Sequence, residues 1–203
     1  MFVQVIQGRV ADADRLHAAL DKWERELSEG ATGWLGSTEG VTDDGRFISV
    51  VRFESEADAR RNSQRPEQDS WWRETSELFL EPATFHDSTE VMEDIVGDPD
   101  RAGFVQFMQG RGRDPERARE LMTQDSGEWA KFRPDLLGSV VATYEDGSYT
   151  MAMYFSSEAE ARKGEKKEPP PKLKAQMDEM NSLMIGETEF YDIKQPWLYS
   201  KHD

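Results

Sequence analysis

The segment FVQVIQGR at Phe2 to Arg9 returns as FVQFMQGR at Phe104 to Arg111, a shift of 102 residues. That shift then holds without a gap: Leu35-Gly36-Ser37 returns as Leu137-Gly138-Ser139, Asp44-Gly45 as Asp146-Gly147, and Ser55-Glu56-Ala57 as Ser157-Glu158-Ala159. Aligning 2–63 on 104–165 gives 20 identities in 62 positions, clustered at strand starts and turns, which chance does not produce. The chain is therefore a tandem duplication, with 2–96 and 104–193 as two diverged copies of one unit.

Each copy reads as the same run of elements. Its first segment carries apolar residues on both alternating faces, as a central strand covered on both sides does. In copy one Leu16, Leu20, Trp23 and Leu27 follow at i, i+4, i+7 and i+11, the single stripe of an amphipathic helix. Two strands come next, joined at Asp44-Gly45 or Asp146-Gly147, a dipeptide that tolerates the positive φ angles of a hairpin turn. The second helix opens at Ser55 or Ser157, with Asp58 or Glu160 three residues on to complete a capping box. Proline then interrupts both copies, at Pro66 and at Pro169-Pro170-Pro171. In copy two the helical run beyond it places Leu173, Met177, Met180 and Met184 on one stripe. A last strand is expected around 83–91 and 187–193.

The order β-α-β-β-α-β is the ferredoxin-like unit, with two helices on one face of a four-stranded antiparallel sheet and the other face open. An open apolar face needs a partner, and a second copy in the same chain supplies one. The expected class is α+β: tandem ferredoxin-like repeats whose two four-stranded sheets pack face to face as an intrachain pseudo-dimeric α/β barrel. The first repeat is expected over 1–96, a polar linker over 97–103, the second repeat over 104–193 and a C-terminal tail over 194–203.

This duplicated order resembles the dimeric α/β-barrel superfamily, and within it the antibiotic-biosynthesis-monooxygenase-like proteins that carry two fused copies. The resemblance covers nearly the whole chain and rests on element order and on the FVQ, DG and F-x-S-E-A-x-A-R segments. It implies a ligand in the cleft between the sheet and the loops or second helix, and a cofactor-independent oxygenase as the activity.

Charge narrows the partners. Lys and Arg total 25 against 41 Asp and Glu, a formal charge of -16, and a surface of that sign repels nucleic acid and anionic membrane alike. A high-salt habitat and a simple solubility preference both account for the acidity. With no cysteine, disulfides, thiolate metal sites and a Cys nucleophile are excluded. Neither a cationic leader nor an apolar run of spanning length is present, so a cytoplasmic location is the default expectation. No helical metal-site spacing occurs, and neither metal nor cofactor is expected. A small aromatic or hydrophobic ligand is the expected partner, and the chain is expected as a monomeric pseudo-dimer or a further homodimer.

Candidate site residues follow from the third strand. Phe47, Ser49, Val51 and Phe53 form the bulkier alternate set and suit the helix side, which leaves Arg52, and Tyr154 in copy two, facing the barrel. Arg52 has the donor fork to hold an anionic or enolate-like substrate, and an ion pair with one of the many carboxylates is the competing role. His86, on the last strand, has the pKa range of a general base; a packed or exposed strand residue is the alternative. His17 lies on the first helix and His202 in the tail. Gln4 and Gln7, repeated as Gln106 and Gln109, lie on opposite faces of the first strand. Gln4 is a candidate for orienting a carbonyl or phenol, although its recurrence also suits a buried hydrogen bond across the pseudo-twofold axis. Trp34, Trp71 and Trp72 can wall a flat ligand or simply fill a core.

Differences between the copies sort these residues. Trp34 becomes Leu136, Arg52 becomes Tyr154, Asn62 becomes Gly164 and His86 becomes Tyr191, so the polar and aromatic set lies in copy one. The expected site has His86 and Arg52 as catalytic groups and Gln4, Trp34, Asn62, Trp71, Trp72 and Tyr154 as substrate contacts. A small-molecule-binding protein of the dimeric α/β-barrel type is the expected function, with a cofactor-independent monooxygenase acting on an aromatic substrate in the first-repeat cleft as the first activity to test. A haem-handling variant, a non-catalytic ligand-binding module and a protein-interaction scaffold are the alternatives.

Overall fold

Apolar alternation on both faces of Phe2–Arg9 gives strand β1 in a computed structural model of the chain, which describes residues 1–124 and 126–201. The chain divides into two compact units, one formed by Met1–Val91 with the segment from Pro196 onward, the other by Met92–Gln195. Among the described residues no helix is long and apolar enough to cross a membrane.

In unit 1, β1 is followed by α1 (Ala13–Leu27), β2 (Trp34–Val41), β3 (Arg46–Phe53), α2 (Glu56–Ser63), α3 (Pro66–Ser76) and β4 (Thr84–Ser88). The stripe of α1 packs as its spacing demands: Leu16 and Leu20 are buried against Phe47, Val10 and Phe79. That contact puts Phe47, and with it Ser49, Val51 and Phe53, on the helix side of the sheet. The hairpin joins at Thr42 to Gly45, with Gly45 at φ 82° and Gly147 in the second copy at φ 80°. Ser55 caps α2 by accepting from the Asp58 amide at 3.2 Å, and Ser157 caps α6 (Glu158–Glu165) by accepting from Glu160 at 3.3 Å. Ser55→Ala is expected to cost about 1 kcal/mol, read as a lower denaturation midpoint; an unchanged midpoint would show the cap to be idle.

Unit 2 repeats the plan with β6 (Phe104–Gly112), β7 (Leu136–Thr143), β8 (Ser148–Phe155), α6, α7 (Pro171–Leu183) and β9 (Met184–Ile193). Its first helix is split into α4 (Pro115–Thr123) and α5 (Ser126–Phe132). On α7 the stripe differs from expectation. Leu173 is buried, but Met177 is 40% exposed. Gln176 points inward instead, where its amide oxygen accepts from Trp129 Nε1 at 2.8 Å and its nitrogen donates to the Leu121 carbonyl. Copy one makes the same kind of bond, Trp23 Nε1 to Gln68 at 2.5 Å.

Each sheet has five strands rather than the expected four, in the orders β10-β2-β3-β1-β4 and β5-β7-β8-β6-β9. The last strand of copy one is two strands, β4 and β5 (Glu90–Ile95), and β5 belongs to the second sheet. Conversely β10 (Trp197–Ser200), expected to be tail, pairs Trp197 with Glu39 and Tyr199 with Ser37 in the first sheet. The unit boundaries therefore fall at 91/92 and 195/196 and not at the linker 97–103 and the tail 194–203. The physical reason is edge satisfaction: without β10 or β5, β2 or β7 would present a row of unpaired backbone groups. A four-residue strand behind a proline carries too little alternation to announce itself.

Candidate functional site

Strand register decides which side chains meet. Ser37 pairs with Val51, Glu39 with Ser49 and Val41 with Phe47, so all six lie on the helix face of the first sheet. On the same face Gln4 pairs with Val51 and Ile6 with Ser49 from β1, and Trp197 and Tyr199 flank Glu39 and Ser37 from β10. A glutamate thus sits in the middle of an aromatic and aliphatic layer. Glu39 is only 4% exposed, and no sequence argument above singled it out.

Burial pushes the Glu39 carboxyl up to about 7, against which the hydroxyls of Ser37 and Ser49 pull it only partly back. Neither Glu39 Oε2 nor Ser49 Oγ makes a hydrogen bond of ordinary geometry, and the indole Nε1 of Trp34 is likewise buried without one. Leaving such atoms unsatisfied costs about 1–3 kcal/mol each. Carboxyls perturbed by burial cluster at functional sites, which makes Glu39 a candidate.

The aromatic side chains packed on this face come from four elements. Trp34 lies on the helix face against Phe2, Ala31 and Phe53, with Trp23 edge-on at 5.1 Å. Trp71 leans on Trp23 at 6.2 Å and donates to the Ala19 carbonyl at 2.9 Å. Trp72 touches Phe79 and Phe85, at 6.0 and 5.3 Å. From β10, Trp197 stacks flat on His17 at 4.4 Å. Tyr199 donates to Asp21 Oδ1 at 2.7 Å, and burial, that bond and the nearby Glu39 raise the phenol well above its ordinary value.

Among the predicted residues, Gln4, Trp34, Trp71 and Trp72 share the helix side with Glu39. Gln4 bonds Asp87 at 2.9 Å, and Gln106 repeats this with Asp192 at 2.8 Å. The shared glutamine is thus tied to the neighbouring strand of its own sheet rather than across a pseudo-twofold axis. Asn62 is buried at the end of α2 and accepts from Arg65 at 2.9 Å. Arg52 and His86 lie elsewhere. Arg52 pairs with Val3 and His86 with Val5, which places both on the sheet face away from the helices, with the buried Val50 and Ile48. One strand, β1, lies between them, which puts them two strand spacings apart, roughly 10 Å across the sheet and ~7 Å along it, and His86 is exposed. Tyr154 belongs to unit 2, fully buried on the corresponding face of the second sheet.

Glu39 was missed although a signal existed. Under the shift of 102, Glu39 aligns with Val141 and Ser49 with Met151, so copy two carries an apolar pair where copy one carries an acid and a hydroxyl. Trp197 and Tyr199 were hidden by reading 194–203 as tail.

No family model matches the chain, and no curated protein matches it. Solved structures resemble it over its whole length. A protein assigned as a monooxygenase from Lactobacillus acidophilus NCFM superposes with a TM-score of 0.70 at 11% identity, over 97% of this chain and 98% of that one. Another so assigned, from Fusobacterium nucleatum subsp. nucleatum, gives 0.72 at 8% identity, over 98% and 94%. An anthrone oxidase-like protein gives 0.64 at 12% identity, over 97% and 92%. Identities this low carry fold and not activity. The resemblance to two-copy antibiotic-biosynthesis-monooxygenase-like proteins therefore holds as fold: this chain has the tandem ferredoxin-like architecture of these full-length neighbours.

Proposed function

We propose that unit 1 binds a small aromatic molecule between its helices and its sheet and oxygenates it without a cofactor, with Glu39 accepting the first proton. The observation that carries this reading is a carboxyl held near neutrality by burial in an aromatic layer. A base poised at the working pH removes a proton most effectively. An aryl ketone with a doubly activated CH2, of the anthrone type, is a fitting substrate class. Loss of one proton to Glu39 gives a delocalised carbanion, which adds dioxygen to form a hydroperoxide. Loss of water then leaves C=O: the carbon gives up four electrons, one oxygen atom stays in the product, and the other departs as water. All the electrons come from the substrate, so no external reductant enters the balance. Trp34, Trp71, Trp197 and Tyr199 supply flat walls, and the apolar setting limits water at the reacting carbon.

Arg52, His86 and Tyr154 have no part in this reading, because proton transfer needs hydrogen-bond reach and they lie off the helix face of the first sheet. Oxygen uptake with a panel of anthrones and phenols tests it. The wild type should consume oxygen at a rate that rises through about pH 7, following ionisation of Glu39. Glu39→Gln should lower the rate ~100-fold or more. Full activity in that variant would overturn the proposal. Tight binding of the aromatic panel without oxygen uptake by the wild type would leave a non-catalytic binding module in its place.

A further inference from the structure

A second feature of unit 1 lies apart from the Glu39 layer: a depression of about 310 Å³ lined by Gly30, Thr32, Arg61, Asn62, Gln64 and Arg65. No carboxylate lines it, which is unusual on a chain with a formal charge of -16.

Its polar groups are fixed by their other bonds. Arg65 Nη1 donates to the Leu27 carbonyl at 3.1 Å and to Asn62 Oδ1 at 2.9 Å, and its Nε donates to Glu67 at 3.0 Å. Nη2, not used in these bonds to the described residues, lies over Gly30 in space that a Cβ there would take. Because Arg65 must find an acceptor, the Asn62 amide is oriented with its oxygen toward Arg65 and its nitrogen left as a donor without a protein partner. Asn62 is itself only 7% exposed, yet that nitrogen still reaches the surface of the depression. Arg61 uses Nη2 on Asp58, and its side chain is otherwise largely exposed. The acidic neighbours, Asp58 and Glu67, are each already engaged by one of these arginines.

Arg61, the Asn62 amide nitrogen and Arg65 Nη2 thus all present donors to this spot, and the lining residues Thr32 and Gln64 can donate to a ligand as well. We infer that the depression is a binding site for a small oxyanion, a carboxylate or a phosphate, held by Arg61, the Asn62 amide nitrogen and Arg65 Nη2. A planar carboxylate matches the guanidinium fork, and charge-assisted bonds to arginine are among the stronger ones. The second copy has closed the equivalent place. Gly164 stands where Asn62 does, and the Arg133 side chain, tied to Asp135 at 2.8 Å, lies directly over it.

Titrating the full-length protein with succinate, with inorganic phosphate and with the neutral succinamide, while following the Asn62 side-chain amide by NMR, tests this site. Saturable shifts with either anion and none with succinamide are expected. A stronger response to succinate or to phosphate identifies the ligand class, and both fit the site. Arg61→Gln, at an exposed position, should weaken binding roughly five- to tenfold. Gly30→Ala should abolish it by displacing the Arg65 guanidinium while the fold is kept, as checked by far-UV circular dichroism. Equal shifts with succinamide, no shift with either anion, or affinity unchanged in both variants would overturn the assignment. Oxygen uptake is not part of the readout, so this result stands or falls independently of the Glu39 proposal.

Discussion

Glu39→Gln is expected to stabilise the protein by about 3 kcal/mol at pH 8 and to change little at pH 4. The wild-type carboxyl binds its proton more tightly folded, near 7, than unfolded, near 4.5. Between those values the folded state holds the extra proton, so stability is full below pH 4.5 and falls as pH rises through 7. Glutamine mimics the protonated acid and does not titrate, so its profile should lack that fall. Denaturant unfolding at several pH values measures the difference. Five of the six tryptophans, Trp23, Trp34, Trp71, Trp72 and Trp197, lie in unit 1, so fluorescence reports mainly on the unit concerned. Parallel profiles for wild type and variant would mean that Glu39 is ionised and well solvated in the fold, and would also remove the basis for its role as a base.

The reciprocal change in the second repeat should be more damaging. Val141 aligns with Glu39, is buried, and pairs with Met151 where Glu39 pairs with Ser49. Val141→Glu is expected to cost more than about 3 kcal/mol at pH 8, because burying a polar group without partners costs several kcal/mol and an ion costs more. Adding Met151→Ser to that variant should recover part of the loss by supplying a hydroxyl. If Val141→Glu were as stable as the wild type, unit 2 would tolerate an acid as readily as unit 1, and the functional asymmetry argued from the two copies would fail. The comparison also separates what the units share from what differs between them: both have the strand, but only one has the acid with the serine across from it.

Local signals carried most of the architecture. The repeat, the capping serines Ser55 and Ser157, the hairpin glycines Gly45 and Gly147 and the α1 stripe are all properties of short windows, and each appears where its chemistry requires. What escaped was long-range. Trp197 pairs with Glu39 and Tyr199 with Ser37, partners far apart in sequence, and no window of local pattern holds both ends of such a contact. The same limit hid Glu39. Sequence reasoning favoured Arg52 and His86 because arginine and histidine have familiar chemistry. Register puts them on the other face, while Glu39 owes its altered carboxyl to surroundings gathered from β2, β3 and β10. The comparison of copies held the relevant signal: weighing charge-to-apolar exchanges above changes among familiar catalytic types brings out Glu39, which stands against Val141.

The exchange of β5 and β10 has a bearing on biosynthesis. Unit 1 is synthesised first but cannot close its sheet until the second repeat has been translated and Trp197–Ser200 has emerged. At ordinary elongation rates that delay is on the order of 5–20 s. During it, β2 waits as an open edge, the kind of template on which nascent chains pair with one another. With 41 acidic against 25 basic residues, the chain's net charge of -16 opposes such pairing, since like-charged chains repel.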